Sequence, residues 1–261
     1  MPFETAPTYV FDLHCDTLDR LALHKTFPDA GFMEQDAAIP DARMSSLANN
    51  DCHIALDRMA KAQYAWCQCF AAFIPDHMPA DWGWQVFCAV RDFFQSQLTE
   101  HAALIEQVRD ARDIRDIVAT GKCAGMFTVE GGSFIEGSLD RLHAAADAGV
   151  KMLTLTWNGK NAIASGNVTT DGLSTFGAQV VHAMEQRRMV VDVSHLNDAS
   201  FWDVVKASSR PFAASHSNSR AVCGHPRKLT DDMFRALADR GGIAGFNFCR
   251  DFVREDGADP T

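Results

Sequence analysis

Seven short apolar runs, rich in β-branched and aromatic residues, recur along the chain with helical stretches between them. Strands and helices in alternation predict a parallel sheet with helices packed outside it. The predicted strands are TYVFDLH, CQCFAAFI, CAGMFTVE, VKMLTLTW, MVVDVSH, RPFAASH and GIAGFNF. A long helical tract, roughly Trp82 to Ala119, separates the second strand from the third. Shorter helices are predicted for SLDRLHAAADAG, GAQVVHAMEQRR, NDASFWDVVKAS and LTDDMFRALADRG.

Residues of the kinds that bind metal ions stand at the ends of several predicted strands. They are His14, Asp16, Glu130, His195 and His216. In a (β/α)8 barrel the C-terminal strand ends converge on one mouth, whereas a doubly wound open sheet does not gather so many of them at one point. We therefore expect an α/β fold of the (β/α)8 TIM-barrel type, incomplete with about seven strands, because a polar loop follows the seventh. No linker divides the chain, so residues 1–261 are predicted to form a single (β/α) barrel domain.

The donor types in this set predict which metal it would hold. His14 and Asp16 stand two residues apart in FDLHCDTL, so in an extended strand both side chains point to one side. Three imidazoles and two carboxylates suit zinc, whereas an all-oxygen set would favour magnesium or calcium. Five ligands exceed one tetrahedral site, so two zinc ions sharing Glu130 as a bridge would use them economically. Each histidine taken alone also has a structural explanation, at a strand end or in a turn.

Charge and hydropathy narrow the classes of partner. Lys and Arg total 24 against 34 Asp and Glu, a net charge of −10, which argues against nucleic acid. No apolar run reaches the roughly 18 residues of a membrane span, and the N-terminus lacks a signal-peptide pattern, so we predict no membrane partner and a cytoplasmic protein. The eight cysteines lack paired metal-site spacing and are predicted to be reduced, mostly buried thiols. Self-association to a homodimer stays open.

Five segments resemble, in order and in spacing, the successive motifs of the membrane (renal) dipeptidases and their bacterial relatives, which are zinc peptidases of the amidohydrolase superfamily. The segments are DLHCDT, TVEGG, KMLTLTWN, VDVSHL and ASHSNSRAVCGHPRKLTDD, and the resemblance runs from about residue 9 to about residue 250. It implies that His14 and Asp16 hold one zinc ion, that His195 and His216 hold the other, and that Glu130 bridges them.

The resemblance also implies a substrate site and a reaction. Arg227 matches the arginine that binds the substrate carboxylate, and Trp157 takes the position of a substrate-contacting histidine in the mammalian enzymes. The implied function is a zinc-dependent dipeptidase that hydrolyses dipeptides through a metal-bridging hydroxide. Two alternatives stay open, a non-catalytic metal-binding remnant of the family and another amidohydrolase acting on N-acyl amino acids. A deaminase or phosphotriester hydrolase is disfavoured, because the first motif is His-x-Asp and no lysine stands at a strand end.

The sequence departs from the family pattern after its seventh strand. The late strand similar to GSDFDG, with an aspartate near the metals, has no counterpart, so the resemblance is to a bacterial-type member lacking the family's C-terminal part. That aspartate is the family's expected proton shuttle. Asp251 and Asp256 are the candidates that we name to replace it.

Overall fold

The computed structural model describes residues 9–26, 43–62 and 64–253, and it confirms all seven predicted strands. The strands are β1 (Tyr9–Asp12), β2 (Ala65–Phe73), β3 (Ile105–Gln107), β4 (Cys123–Glu130), β5 (Val150–Thr154), β6 (Val190–Asp192), β7 (Ala213–Ala214) and β8 (Ile243–Ala244). The helices are α1 (Thr17–Thr26), α2 (Leu56–Lys61), α3 (Ala80–Glu100), α4 (Ala111–Ala119), α5 (Leu139–Asp147), α6 (Thr175–Gln186), α7 (Asp198–Ala207), α8 (Asp231–Asp239) and α9 (Arg250–Val253).

The strands follow one another through the sheet almost in chain order. The order is β1-β2-β4-β5-β6-β7-β8, and β3 pairs beside β4. Five pairs, β1 with β2, β3 with β4, β5 with β6, β6 with β7 and β7 with β8, are parallel. Thr154 lies opposite Asp192, and Asp192 lies opposite Ala213, so the ends of β5, β6 and β7 are level. Parallel strands in sequential order, joined by helices, are the pattern of a (β/α) barrel.

The predicted helical tract from Trp82 to Ala119 is wrong as a single element. α3 ends at Glu100, β3 pairs with β4, and α4 begins at Ala111. A capping box starts α4: the Asp110 carboxylate accepts from the Arg112 amide at 2.7 Å, and the Asp113 carboxylate accepts from the Asp110 amide at 2.8 Å. These bonds satisfy amides that a helix start leaves without intrahelical partners.

The chain divides into two compact units. The first contains the residues up to 72 and residues 86–128. Its core includes four phenylalanines with ring centroids 5.2 to 6.0 Å apart. They are Phe70, Phe87, Phe94 and Phe127, all fully buried. Burying one such side chain stabilises a fold by about 1.5–3 kcal/mol, so these rings are a main source of the unit's stability.

The second unit contains residues 73–85 and the chain from 129 onward. Two of its helices begin with side-chain caps: Asn197 Oδ1 accepts from the Ser200 amide at 2.8 Å, and Thr230 Oγ1 accepts from the Met233 amide at 3.3 Å. A single domain over residues 1–261 stays a prediction.

Two further expectations concern the whole set of described residues. The eight cysteines are free thiols and six of them are buried, as predicted. In the part of the chain that the structure describes, no helix has both the length and the apolar character needed to cross a bilayer. The cytoplasmic location and the homodimer stay predictions.

Candidate metal centre

The predicted ligands stand at or just beyond the C-terminal ends of four strands. His14 and Asp16 follow β1, Glu130 is the last residue of β4, His195 follows β6, and His216 follows β7. His14 and Asp16 belong to the first unit, and the other three belong to the second.

In the first unit, His14 and Asp16 point to the same side of the chain, as their spacing predicts. His14 Nε2 lies 3.0 Å from Asp16 Oδ1, and the side chains are 12% and 38% exposed. Cys15 between them is buried, and burial raises the pKa of its thiol well above its usual range. Cys15 therefore stays protonated at neutral pH and does not compete as a thiolate ligand.

In the second unit, Glu130, His195 and His216 bring three donor atoms together. His195 Nε2 lies 2.7 Å from Glu130 Oε1 and 2.9 Å from His216 Nε2. His216 Nε2 lies 3.5 Å from the same carboxylate oxygen. Each of the three side chains is at most 12% exposed, so bulk water does little to screen them.

Hydrogen bonds at the far side of each ring determine which nitrogen carries the proton. His195 Nδ1 lies 2.9 Å from Asn158 Oδ1, an oxygen that also accepts from Asn167 Nδ2 at 2.6 Å. An amide oxygen only accepts, so His195 carries its proton on Nδ1 and presents a lone pair at Nε2. This is the tautomer of a histidine that binds a metal through Nε2.

His216 reaches the same tautomer through a serine. Ser215 Oγ donates to the Asp192 carboxylate at 2.6 Å, which uses its one proton. The bond of 2.7 Å between Ser215 Oγ and His216 Nδ1 must then be donated by the ring. His216 therefore also presents a lone pair at Nε2, facing Glu130.

Asp192 is fully buried at the end of β6 and accepts four hydrogen bonds. Thr154 Oγ1 and Ser215 Oγ donate to Oδ2, both at 2.6 Å, while the amides of Ser194 and Ser215 donate to Oδ1 at 3.0 and 2.8 Å. Burial by itself would raise the pKa of Asp192, but the nearby His216 and these donors outweigh it and hold the pKa below its usual value. Asp192 is thus an ionised acceptor at neutral pH.

Two backbone positions with positive φ shape the second unit's site. Gly131, directly after Glu130, has φ +96°, and a Cβ there would lie 2.1 Å from the Ile74 carbonyl oxygen, so only glycine fits. His195 has φ +71°, and the one other described non-glycine residue with positive φ is Arg188. A left-handed backbone is strained for histidine, and such strain is typical of functional sites.

The three donor atoms of the second unit require positive charge between them. Both imidazoles already carry a proton on Nδ1, so their Nε2 lone pairs face each other and the Glu130 carboxylate. Either an imidazolium proton or a metal ion relieves that repulsion. Two imidazole nitrogens and a carboxylate oxygen are a donor set that zinc uses, so these residues fit a zinc ion.

Arg227 is buried near this cluster, with 4% of its surface exposed. Its Nη1 donates to Ser217 Oγ at 3.0 Å and its Nη2 donates to the His216 carbonyl at 3.2 Å, while Nε has no partner within the described residues. Burial lowers the pKa of Arg227 to about 10, against the raising effect of Glu130 and Asp192. The guanidinium therefore stays charged and keeps one buried donor for another acceptor.

Trp157 lies beside one of the three candidate ligands. Its ring centroid is 6.2 Å from that of His195 and 5.2 Å from that of Phe73, which meets it edge-on. Asp251 is exposed in α9, and Asp256 lies outside the described residues. The structure thus shows what Trp157 contacts, while a role for it in binding substrate stays a prediction.

Sequence reasoning missed the residues that orient the rings. Asn158, Asp192 and Ser215 all lie inside segments already singled out, directly after Trp157, three residues before His195 and directly before His216. A polar residue within a buried strand, such as Asp192 in MVVDVSH, was the available signal, because buried carboxylates need partners.

The chain matches one protein-family model over nearly its whole length. The family is the membrane dipeptidase family (peptidase family M19), matched over residues 5–259. Among proteins similar in sequence, an uncharacterized protein from the pqqA 5' region of Klebsiella pneumoniae is 33% identical over 188 residues, 69% of this chain and 68% of that protein. An uncharacterized dipeptidase of Schizosaccharomyces pombe is 32% identical over 145 residues, 53% of this chain and 35% of that protein.

Among solved structures, two metallo peptidases are similar to this chain over nearly its whole length. A metallo peptidase from Rhodobacter sphaeroides, liganded with a phosphinate mimic of the dipeptide L-Ala-D-Ala, has a TM-score of 0.83 and 26% identity, covering 97% of this chain and 77% of that one. A family M19 metallo peptidase described as dipeptidase AC has a TM-score of 0.85 and 26% identity, covering 98% and 76%. The incomplete TIM-type barrel that the sequence predicts is therefore confirmed.

Proposed function

Because the chain belongs to the membrane dipeptidase family, peptidase family M19, a family of peptide-bond hydrolases, we propose that it is itself a zinc-dependent dipeptidase. One observation carries the proposal: Glu130, His195 and His216 meet within 3.5 Å with both Nε2 lone pairs turned inward. Such a cluster is costly to bury for structure alone, because three electron-pair donors face one another. It is well suited to hold a cation.

The proposed centre holds two zinc ions. His195 and His216 would hold one ion, His14 and Asp16 the other, and Glu130 would bridge them, as the resemblance to the family implies. When bound, the metal would supply a hydroxide nucleophile at neutral pH and would polarise the scissile carbonyl as a Lewis acid. The chain's own part is to keep each Nε2 unprotonated, through Asn158 for His195 and through Ser215 for His216.

Arg227 is the proposed anchor for the substrate. Its Nε is buried without a partner in the described residues, and an arginine pairs naturally with a carboxylate through two parallel N–H groups. A carboxylate held there would be the free C-terminus of the residue that follows the scissile bond, which excludes substrates whose C-terminus is blocked. The ligand of the Rhodobacter enzyme, a mimic of L-Ala-D-Ala, makes an L,D dipeptide a sensible first substrate.

The test combines metal content with turnover. We would purify the chain without chelator, measure zinc per chain by elemental analysis, and follow amino-acid release from L,L and L,D dipeptides and from N-acyl amino acids. Two zinc ions per chain with dipeptide turnover are expected. Bound zinc without turnover would instead support the non-catalytic remnant, and preferred cleavage of N-acyl amino acids would support the second alternative.

A matched pair of variants ties the result to the cluster. Glu130→Gln keeps the size of the side chain but removes a charged ligand, so metal and turnover should both fall sharply. Glu136→Gln makes the same change at an exposed residue close in sequence and should leave both unchanged. Equal zinc content in the two variants would refute Glu130 as a ligand.

A further inference from the structure

Asp76 ties together two loops of the second unit. It follows β2, and its carboxylate accepts three hydrogen bonds from the segment that follows β5. Oδ1 accepts from Thr156 Oγ1 and from the Trp157 amide, both at 2.9 Å, and Oδ2 accepts from the Gly159 amide at 2.7 Å. A Cβ at Gly159 would lie 3.2 Å from Oδ2, so the absence of a side chain there allows the close approach.

The segment that Asp76 holds also contains the partner of a proposed metal ligand. Asn158 lies between two residues whose amides bind Asp76, and its Oδ1 accepts from His195 Nδ1 at 2.9 Å. The Asn158 carbonyl accepts from the Val168 amide at 3.1 Å, which fixes the far side of the same loop. The position of the Asn158 oxygen therefore depends on the segment that Asp76 binds.

The chemistry of the three donors requires a carboxylate at position 76. Two of them are backbone amides, which can only donate, and both oxygens of the side chain are used. In Asp76→Asn, one oxygen becomes an amino group that meets either the Trp157 amide or the Gly159 amide, donor against donor. The loop must then shift by enough to separate them, and Asn158 moves with it.

We propose that Asp76 is a positioning residue. It keeps Asn158 Oδ1 within hydrogen-bond distance of His195 Nδ1 and thereby holds His195 in its metal-binding tautomer. The coupling runs from Asp76 through the backbone of Trp157 and Gly159 to Asn158 Oδ1, and from there to His195 Nδ1. The proposal rests on the proposed function only in naming His195 a metal ligand. Its structural claim concerns the protein without metal.

The test measures the tautomer of His195 directly. Imidazole ¹⁵N chemical shifts would be recorded on metal-free protein at about pH 8, with the His195 signals assigned by comparison with His195→Gln. The parent should show a proton on Nδ1. Asp76→Asn should show a mixture of the two tautomers, and its affinity for Zn²⁺, measured by competition with a chromophoric chelator, should fall about tenfold.

Two further variants provide a second test of the proposal and a control. Thr156→Val removes one of the three donors to Asp76 and should also populate the second tautomer relative to the parent, to a smaller extent, which tests the proposal even if Asp76→Asn fails to fold. Asp81→Asn is the matched control, because Asp81 pairs with Arg141 at the surface with its side chain 86% exposed, and it should change nothing.

The outcomes separate the two proposals. An unchanged His195 tautomer in Asp76→Asn, or in Thr156→Val if Asp76→Asn does not fold, would overturn the role of Asp76, whatever the enzyme's activity. A parent chain that hydrolyses no dipeptide would overturn the proposed function, and the tautomer shift would still decide the role of Asp76.

Discussion

Asp192→Asn should weaken metal binding without removing any ligand. Oδ1 of Asp192 faces the amides of Ser194 and Ser215, so the remaining oxygen of asparagine must stay there. The new amino group then occupies the place of Oδ2 and donates to Ser215 Oγ. Ser215 turns its own proton to His216 Nδ1, which moves the ring proton to Nε2, where the metal would bind.

The expected magnitude follows from the bonds involved. Metal binding must return His216 to its original tautomer, and the buried Ser215 hydroxyl is then left without an acceptor, which costs about 1–3 kcal/mol. At about 1.4 kcal/mol per factor of ten, the affinity for Zn²⁺ should fall by roughly 5- to 150-fold. Chelator competition on metal-free protein measures it, and ¹⁵N shifts of His216 report the tautomer.

A double-mutant cycle isolates the serine's part. Ser215→Ala breaks the link, so Asp192→Asn should cost much less affinity in that background than in the parent, with a coupling of about 1–2 kcal/mol. Additive losses would refute the proposed link. An Asp192→Asn protein that binds Zn²⁺ as tightly as the parent would refute it as well.

Three further predictions test other parts of the structure. Gly131→Ala should destabilise the fold by at least about 2 kcal/mol more than Gly137→Ala, because both residues have positive φ but only Gly131 approaches a backbone oxygen. Equal losses of unfolding free energy in chemical denaturation would contradict the close contact. Burial alone would raise the pKa of Glu185, but hydrogen bonds from Ser209, Ser208 and the Arg210 amide lower it. Glu185→Gln should therefore lower the free energy of unfolding by about 1–3 kcal/mol at neutral pH, and this loss should shrink as the pH falls through and below 4.5. A loss that does not change with pH would count against this prediction. Arg227→Lys should raise KM at least about tenfold for dipeptides with a free C-terminus, since lysine lacks the paired N–H groups, and the same loss with an amidated C-terminus would exclude the proposed contact.

The strands were predictable because periodicity and strand-end polarity are local properties of the sequence. β3 was missed because three residues between two helices give no usable period, and only pairing with β4 defines them. The candidate ligands of the second unit were predicted from the same strand ends, and the structure brings Glu130, His195 and His216 together. The roles of Asn158 and Asp76 could not be predicted from the sequence. Their hydrogen-bond partners depend on how two loops pack, and residue spacing carries no information about that packing.

Asp192 joins three adjacent strands, since Thr154 ends β5 and Ser215 follows β7. A slip of β6 by one residue would turn Asp192 to the opposite face and replace it with a valine from either side. The ring of His216 would then lose the partner that sets its proton, and its nitrogen would no longer be ready for a cation. Under the proposed function, loading with metal would therefore favour molecules whose strands are paired correctly, and the fraction of zinc-bound chains in a preparation would report how many are.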